Sequence, residues 1–199
     1  MRWKMVAILP TAAFALGLCV AAQAATAEKG NYKIDPRHTQ VIFGIKHMGL
    51  STFYGRFSKI SGTLTFDPAS PETSALAVQI DMTVIDTHVP ELDKELSDSV
   101  FHADKFPTAT FTANKIVKIG DNTGTVTGDL TLAGVTKPVT LNATFDGGRN
   151  SPMPFQPYRL GFDATATIHR ADFGLTGMMW SGLVGDDVSL IIETEMEKQ

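Results

Sequence analysis

Residues 125–132, Thr125-Val126-Thr127-Gly128-Asp129-Leu130-Thr131-Leu132, set Val126, Gly128, Leu130 and Leu132 against Thr125, Thr127, Asp129 and Thr131. Successive side chains of a strand point to opposite faces, so this period of two predicts a strand with one buried and one solvated face. The pattern recurs outward along the chain. Over 139–146, Val139, Leu141, Ala143 and Phe145 alternate with Thr140, Asn142, Thr144 and Asp146. Over 160–169, Leu160, Phe162, Ala164, Ala166 and Ile168 share a face, and over 188–196 Val188, Leu190, Ile192 and Met196 do. Over 76–84 the apolar face is Leu76, Val78, Ile80, Met82 and Val84. Less regular strands are expected over 32–35, 39–46, 55–66 and 108–119. Turn chemistry separates them at Asp67-Pro68, Asp121-Asn122-Thr123-Gly124 and Gly147-Gly148-Arg149-Asn150. About nine one-faced strands with short connections predict an all-β antiparallel fold. Closure into a barrel of about eight strands is favoured because it leaves no exposed edge.

One short helix is expected near 89–99. Leu92 and Leu96 lie one turn apart, Pro90 suits a first turn, and Glu91, Asp93, Glu95 and Asp98 then face solvent. Residues 151–158 hold Pro152, Pro154 and Pro157 and read as a loop. A barrel of about eight strands encloses either core side chains or one small ligand. The inward positions Ala109, Ala113, Gly128, Ala143, Ala164 and Ala166 are small. They leave volume for a ligand or answer a Phe across the core, and the pattern leaves both readings open.

Residues 1–24 read as an export signal: Arg2 and Lys4, an apolar run over 6–20, then Ala22-Gln23-Ala24 as a cleavage site. The apolar run is shorter than the ~20 residues of a spanning helix. The expected product is residues 25–199, a single periplasmic domain with no transmembrane segment. Setting Arg2 and Lys4 aside leaves 15 basic against 21 acidic residues, a net charge near −6. So acidic a surface argues against nucleic-acid binding. Hydrophobic residues at 43% and charged residues at 19% exclude disorder. Cys19, the only cysteine, lies in the signal, so the product has no disulfide and no thiolate chemistry.

Catalytic signatures are missing. His38, His47, His88, His102 and His169 form no short metal-ligand spacing. There is no G-x-S-x-G elbow and no phosphate-cradling glycine loop, and the neighbours Asp186 and Asp187 would point to opposite faces of a strand. No catalytic residue, metal or cofactor is called for. Two apolar, glycine-containing segments, 47–55 and 174–185, fit either a pocket mouth or a plug over a barrel end.

A series of motifs carries a family resemblance. It begins with Tyr32-Lys33-Ile34-Asp35-Pro36-Arg37-His38, then Phe43-Gly44-Ile45-Lys46-His47-Met48-Gly49 and Gly55-Arg56-Phe57. Phe106-Pro107-Thr108-Ala109-Thr110-Phe111 and Gly128-Asp129-Leu130-Thr131-Leu132-Ala133-Gly134-Val135-Thr136-Lys137-Pro138-Val139 follow. Last come Arg170-Ala171-Asp172-Phe173-Gly174 and Val184-Gly185-Asp186-Asp187-Val188. In this order they resemble the YceI-like family of exported bacterial proteins, over essentially the whole chain after the signal. His169 departs from an Asn frequent in the family. The resemblance implies a lipocalin-like barrel with an elongated apolar cavity. It also implies a long amphiphilic lipid as ligand: a polyisoprenoid, a prenyl quinone or a fatty-acid derivative. It implies no established catalysis, and often a homodimer.

The expected function is therefore a periplasmic carrier of such a lipid. The alternatives are an enzyme acting on an isoprenoid or quinone lipid, or a packed structural or stress-response domain without ligand. The expected ligand wall draws on the strands at Phe43, Ile45, Phe57, Val78, Ile80, Met82, Phe111 and Phe162. The apolar segments add Phe53, Met178, Met179, Trp180 and Leu183. His47 or Arg170 would meet the head group. Arg170 has a competing role with Asp172, two residues on in an extended strand: holding the loop that starts at Phe173.

Overall fold

The computed structural model describes residues 27–177 and 182–199. The expected signal over 1–24, together with Met178, Met179 and Trp180, lies outside them. The described strands are β1 (Gly30–Ile34), β2 (Gln40–His47), β3 (Ser51–Phe57), β4 (Ile60–Phe66), β5 (Ala75–Asp81) and β6 (Ile85–Asp86). They continue with β7 (Thr108–Lys118), β8 (Thr123–Leu132), β9 (Val135–Arg149), β10 (Arg159–His169) and β11 (Val184–Lys198). All pairings are antiparallel. The order β1-β4-β5-β7-β8-β9-β10-β11 closes through β1–β11 into an eight-stranded barrel. β2, β3 and β6 extend that wall at one end: β2 pairs with β11 and β3, and β3 with β6.

The alternation holds where the sequence predicts strands, except that the run expected over 55–66 is two strands, β3 and β4, broken at Ser58 and Lys59, and with three further corrections. The β8–β9 connection is a two-residue turn, Ala133 and Gly134, both at positive φ (48° and 79°). That conformation matches the twist of a tight hairpin and favours glycine. β9 therefore starts at Val135 and includes Pro138. Over its first half β9 pairs with β8 alone, since β10 joins only from Asn142, so a residue without an N–H is tolerated there. Second, 147–149 belong to β9, not to a turn; the extra residue is absorbed as a bulge opposite Gly161 and Phe162. Third, β5 ends at Asp81. Met82 turns into the core at 2% exposure, and Val84 is exposed.

The helix α1 (Pro90–Glu95) starts on Pro90 and runs into a wider turn over Leu96–Val100. It has no side-chain cap of its own. Instead Asp93 reaches back and accepts from the Thr87 N–H (2.7 Å) and Thr87 hydroxyl (2.6 Å). This tie holds the helix over one barrel end, where Phe101 meets Phe57 edge-on at 5.9 Å and Phe57 meets Phe43 at 5.6 Å. Met82, Ile85, Ala103 and Phe173 complete a plug of buried apolar side chains. Among the described residues no helix is long and apolar enough to cross a membrane.

Candidate functional site: an apolar cavity open at one barrel end

The half of the barrel away from the helix is hollow. A band of small or slim residues crosses its wall in register: Gly124 pairs with Ala143, Ala143 with Ala164, and Ala164 with Ile192. The other half is filled by rings. The difference leaves a cavity of about 380 Å³. Its wall draws on nearly every barrel strand, including Leu64, Leu76, Val126, Leu141 and Leu190. Phe66, Phe145 and Phe162 stand together near the rim with centroids 5.2–6.0 Å apart. The rim is formed by Pro68, Pro71 and Ser74 after β4, by Asp121 and Asn122 after β7, and by Ala27 at the start of the described chain.

Deep in this wall the polar side chains are Thr39 and Thr194. Their hydroxyls bond each other at 2.9 Å, and Thr39 also reaches the Glu195 carbonyl. Beside them the wall strand kinks. Residues 35–39 stand opposite only 194 and 195 of β11, since Ile34 pairs with Met196 and Gln40 with Glu193. Asp35, 1% exposed, fixes the kink. It accepts from Arg159 (2.6 Å), His38 Nδ1 (2.7 Å), and the Arg37 backbone (2.9 Å) and guanidinium (3.2 Å). Arg159 also binds Glu195 at 2.9 Å and Glu197. Burial alone would push the Asp35 carboxyl up; the bonds from Arg159, His38 and Arg37 outweigh it and hold the group well below the usual carboxylate range. Asp35, His38 and Glu195 also have the proximity of a metal-ligand set. Two arginines already neutralise it, which makes it a poor cation site.

Of the expected wall residues, Val78, Ile80, Phe111 and Phe162 line the cavity. The other described ones stand elsewhere. Phe43, Phe57 and Met82 pack into the plug. Ile45 and Phe53 pair with each other where β2 and β3 extend past the closed barrel. His47 and Leu183 are exposed at that same end. The described parts of the two apolar segments, 47–55, 174–177 and 182–185, thus lie at the closed end, away from the cavity rim; the Met48 N–H donates to the Leu183 carbonyl between them at 2.6 Å. Alternation marks an inward face but not which end is hollow. That depends on cross-strand register and on where the helix docks.

Arg170 also stands away from the cavity. It lies in a short helical turn, Arg170–Phe173, not in an extended strand, so it and Asp172 do not share a strand face. Its guanidinium donates to the Gly185 carbonyl (2.9 Å), the Leu175 carbonyl (2.5 Å) and the Val184 carbonyl (3.5 Å). These bonds tie both flanks of the 174–185 loop. Arg170→Ala is expected to cost about 1–3 kcal/mol, a fall in melting temperature of roughly 2–4 °C per kcal/mol. Uptake of an apolar probe by the cavity should stay within about twofold. Calorimetry and a fluorescent lipid titration on one preparation check both halves.

The YceI-like domain family matches residues 32–196. A UPF0312 protein of Pseudomonas paraeruginosa is 40% identical over 193 residues, spanning 94% of this chain and 97% of that one. The crystal structure of the Campylobacter jejuni YCEI protein, 35% identical, superposes with a TM-score of 0.68 over 77% of this chain and 90% of that one. A domain from Saccharophagus degradans described as polyisoprenoid binding shares the fold at a TM-score of 0.64 and 17% identity, covering 86% of this chain and 100% of that one. The sequence match over nearly the whole barrel and the shared closed fold agree, and the chain belongs to the YceI-like family.

Proposed function

We propose that the protein is a periplasmic carrier for one long amphiphilic lipid, a polyisoprenoid, a prenyl quinone or a fatty-acid derivative. The tail enters the cavity from the end bounded by the 67–74 and 119–122 turns. The carrying observation is the cavity itself: about 380 Å³, walled by aliphatic and aromatic side chains and open at one end. Each CH₂ moved from water into such a space contributes about 0.8 kcal/mol, so a tail of several carbons has ample drive without polar recognition. Val78, Ile80, Phe111 and Phe162 are the proposed tail contacts among the residues singled out from sequence. The head group stays at the rim, where Lys118 offers a cation to a phosphate or carboxylate and Asn122 and Thr123 offer hydrogen bonds. The description of the Saccharophagus degradans domain as polyisoprenoid binding supports the same ligand class.

Binding is favoured over turnover because the polar groups deep in the wall, Thr39 and Thr194, are satisfied by each other and by backbone. The test is native mass spectrometry of protein purified from its own periplasm. The expected result is a co-purifying species that dissociates as an apolar lipid. A bare protein that takes up no lipid on incubation with a periplasmic membrane extract overturns the proposal.

A further inference from the structure

We propose that the cavity end of the barrel is a membrane-docking surface. The 150–157 loop and the β7–β8 turn enter the surface of a phospholipid bilayer, so that a lipid tail passes between bilayer and cavity without crossing water. Resting on the reading of the cavity as a lipid site, this names the partner from which that site is filled. All barrel neighbours are antiparallel, so β9 ends and β10 begins at the end where β4 and β7 end and β5 and β8 begin. The 150–157 loop therefore stands at the cavity mouth. There Phe155 is fully exposed, and Ile119 and Met153 are 71% and 65% exposed. Pro152, Pro154 and Pro157 stiffen the loop, which lowers the entropy lost on docking. Phe155 sits at φ 62°, in the left-handed region that a bulky side chain rarely adopts. A ring held in water gains by entering the interfacial layer of a bilayer, where aromatic side chains concentrate. Along β7 the exposed apolar surface is continuous with the cavity: Ile116 and Val117 line its wall, and Ile119 follows at the turn.

Charge decides which end faces the bilayer, because the closed end has exposed apolar side chains of its own, Met48 and Leu50. The closed-end segments 82–107 and 170–187 hold nine acidic and three basic residues, a net charge of −6. The mouth segments 27–29, 67–74, 118–123, 149–158 and 198–199 hold four of each and are neutral. Two of those four pairs are joined: Lys29 Nζ to Asp67 at 2.7 Å and Lys198 Nζ to Glu28 at 2.6 Å. A bilayer surface carrying anionic lipid repels the closed end and admits the mouth. The charge thus orients the barrel, and the apolar tips supply the attraction.

The test uses protein purified from its own periplasm, with Cys19, the only cysteine of the chain, replaced by Ser. One new cysteine then carries an environment-sensitive dye, through Phe155→Cys, Ile119→Cys, Leu50→Cys or, on the outer barrel wall, Thr165→Cys. Vesicles of phosphatidylethanolamine and phosphatidylglycerol should shift the dye emission to the blue and shield it from iodide at 155 and 119, and do neither at 50 and 165. A second arm measures delivery. Phe155 belongs to neither the cavity wall nor the core, and Asp is among the residues that tolerate a left-handed backbone. Phe155→Asp should slow the transfer of a fluorescent fatty acid from these vesicles about tenfold. Its melting temperature should match the parent's, and its affinity for the same probe in solution should stay within about twofold. Shielding at 50 in place of 155, or at none of the four positions, overturns the proposal. So does transfer from vesicles that Phe155→Asp leaves unchanged. Shielding at 155 that sets in without vesicles as protein concentration rises assigns the patch to a second copy of the chain and overturns it too. If the parent takes up no probe from solution, the lipid reading fails, and the dye pattern still decides whether this end docks on a bilayer.

Discussion

Asp35→Ala should lower the melting temperature by roughly 6–12 °C, taking about 3 kcal/mol for a broken buried pair and roughly 2–4 °C per kcal/mol at this chain length. The figure is the lower end for such a loss because Arg159, the main partner, keeps Glu195 and Glu197. What disappears is the acceptor for two arginines, a histidine and a backbone N–H at the point where the wall strand bends. Residues 35–39 there face only 194 and 195 on β11. Hydrogen bonds from Asp35 N to the Glu195 carbonyl (2.9 Å) and from Glu195 N to the His38 carbonyl (3.3 Å) carry the sheet across the gap. Loss of the carboxylate should loosen β1 from β11 first, seen as faster amide exchange at Asp35 and Glu195.

The same residue sets an acid limit. Its folded-state pKa is depressed, so its contribution is fully present above the unfolded value of about 3.9 and is lost as pH falls through the lower folded value. The stability gap between the native chain and Asp35→Asn should be constant from about pH 8 to 5 and shrink below about pH 4. Urea titrations at about pH 7, 5 and 3 measure it. A gap that does not narrow at the most acid point would show that the carboxylate charge is not what holds the kink.

The fold is legible because one-faced strands announce themselves. The alternation of 125–132, 139–146 and 160–169 survives in β8, β9 and β10, and the spacing of Leu92 and Leu96 marks the helical segment. Legibility stops where three-dimensional register decides. Nothing local distinguishes Phe43, which packs against Phe57 in the plug, from Phe162, which packs against Phe145 at the rim. Both are Phe on an alternating strand; what separates them is the helical segment's docking beside one and the small-residue band beside the other. The apolar 174–185 segment reads equally as a pocket mouth or as a plug over a barrel end. Its described flanks are held by Arg170, whose bonds to backbone carbonyls carry no sequence signature. Asp35 is visible in the sequence only as part of a motif. Its role depends on Arg159, 124 positions away in the chain.

Filling the small-residue band should separate binding from folding. Ala143 and Ala164 face each other across β9 and β10, both in the cavity wall. Ala143→Phe with Ala164→Phe places two rings where a tail would lie. Inserting bulk into a packed core costs about 1–3 kcal/mol, but here the receiving space is a void, so the penalty should be small. Displacing about four tail carbons at about 0.8 kcal/mol each removes about 3 kcal/mol of binding. That is roughly a hundredfold in affinity. The matched control is Thr165→Phe, the same ring on the outer face of the same strand, where uptake should be unchanged. Affinity for a fluorescent fatty acid and melting temperature are measured together on the parent, the double variant and the control. Loss of uptake at a melting temperature within a few degrees of the parent places the tail inside the barrel against β9 and β10. Undiminished uptake in a folded double variant would mean that the lipid lies outside this cavity, and the site would have to be sought on the barrel's outer surface.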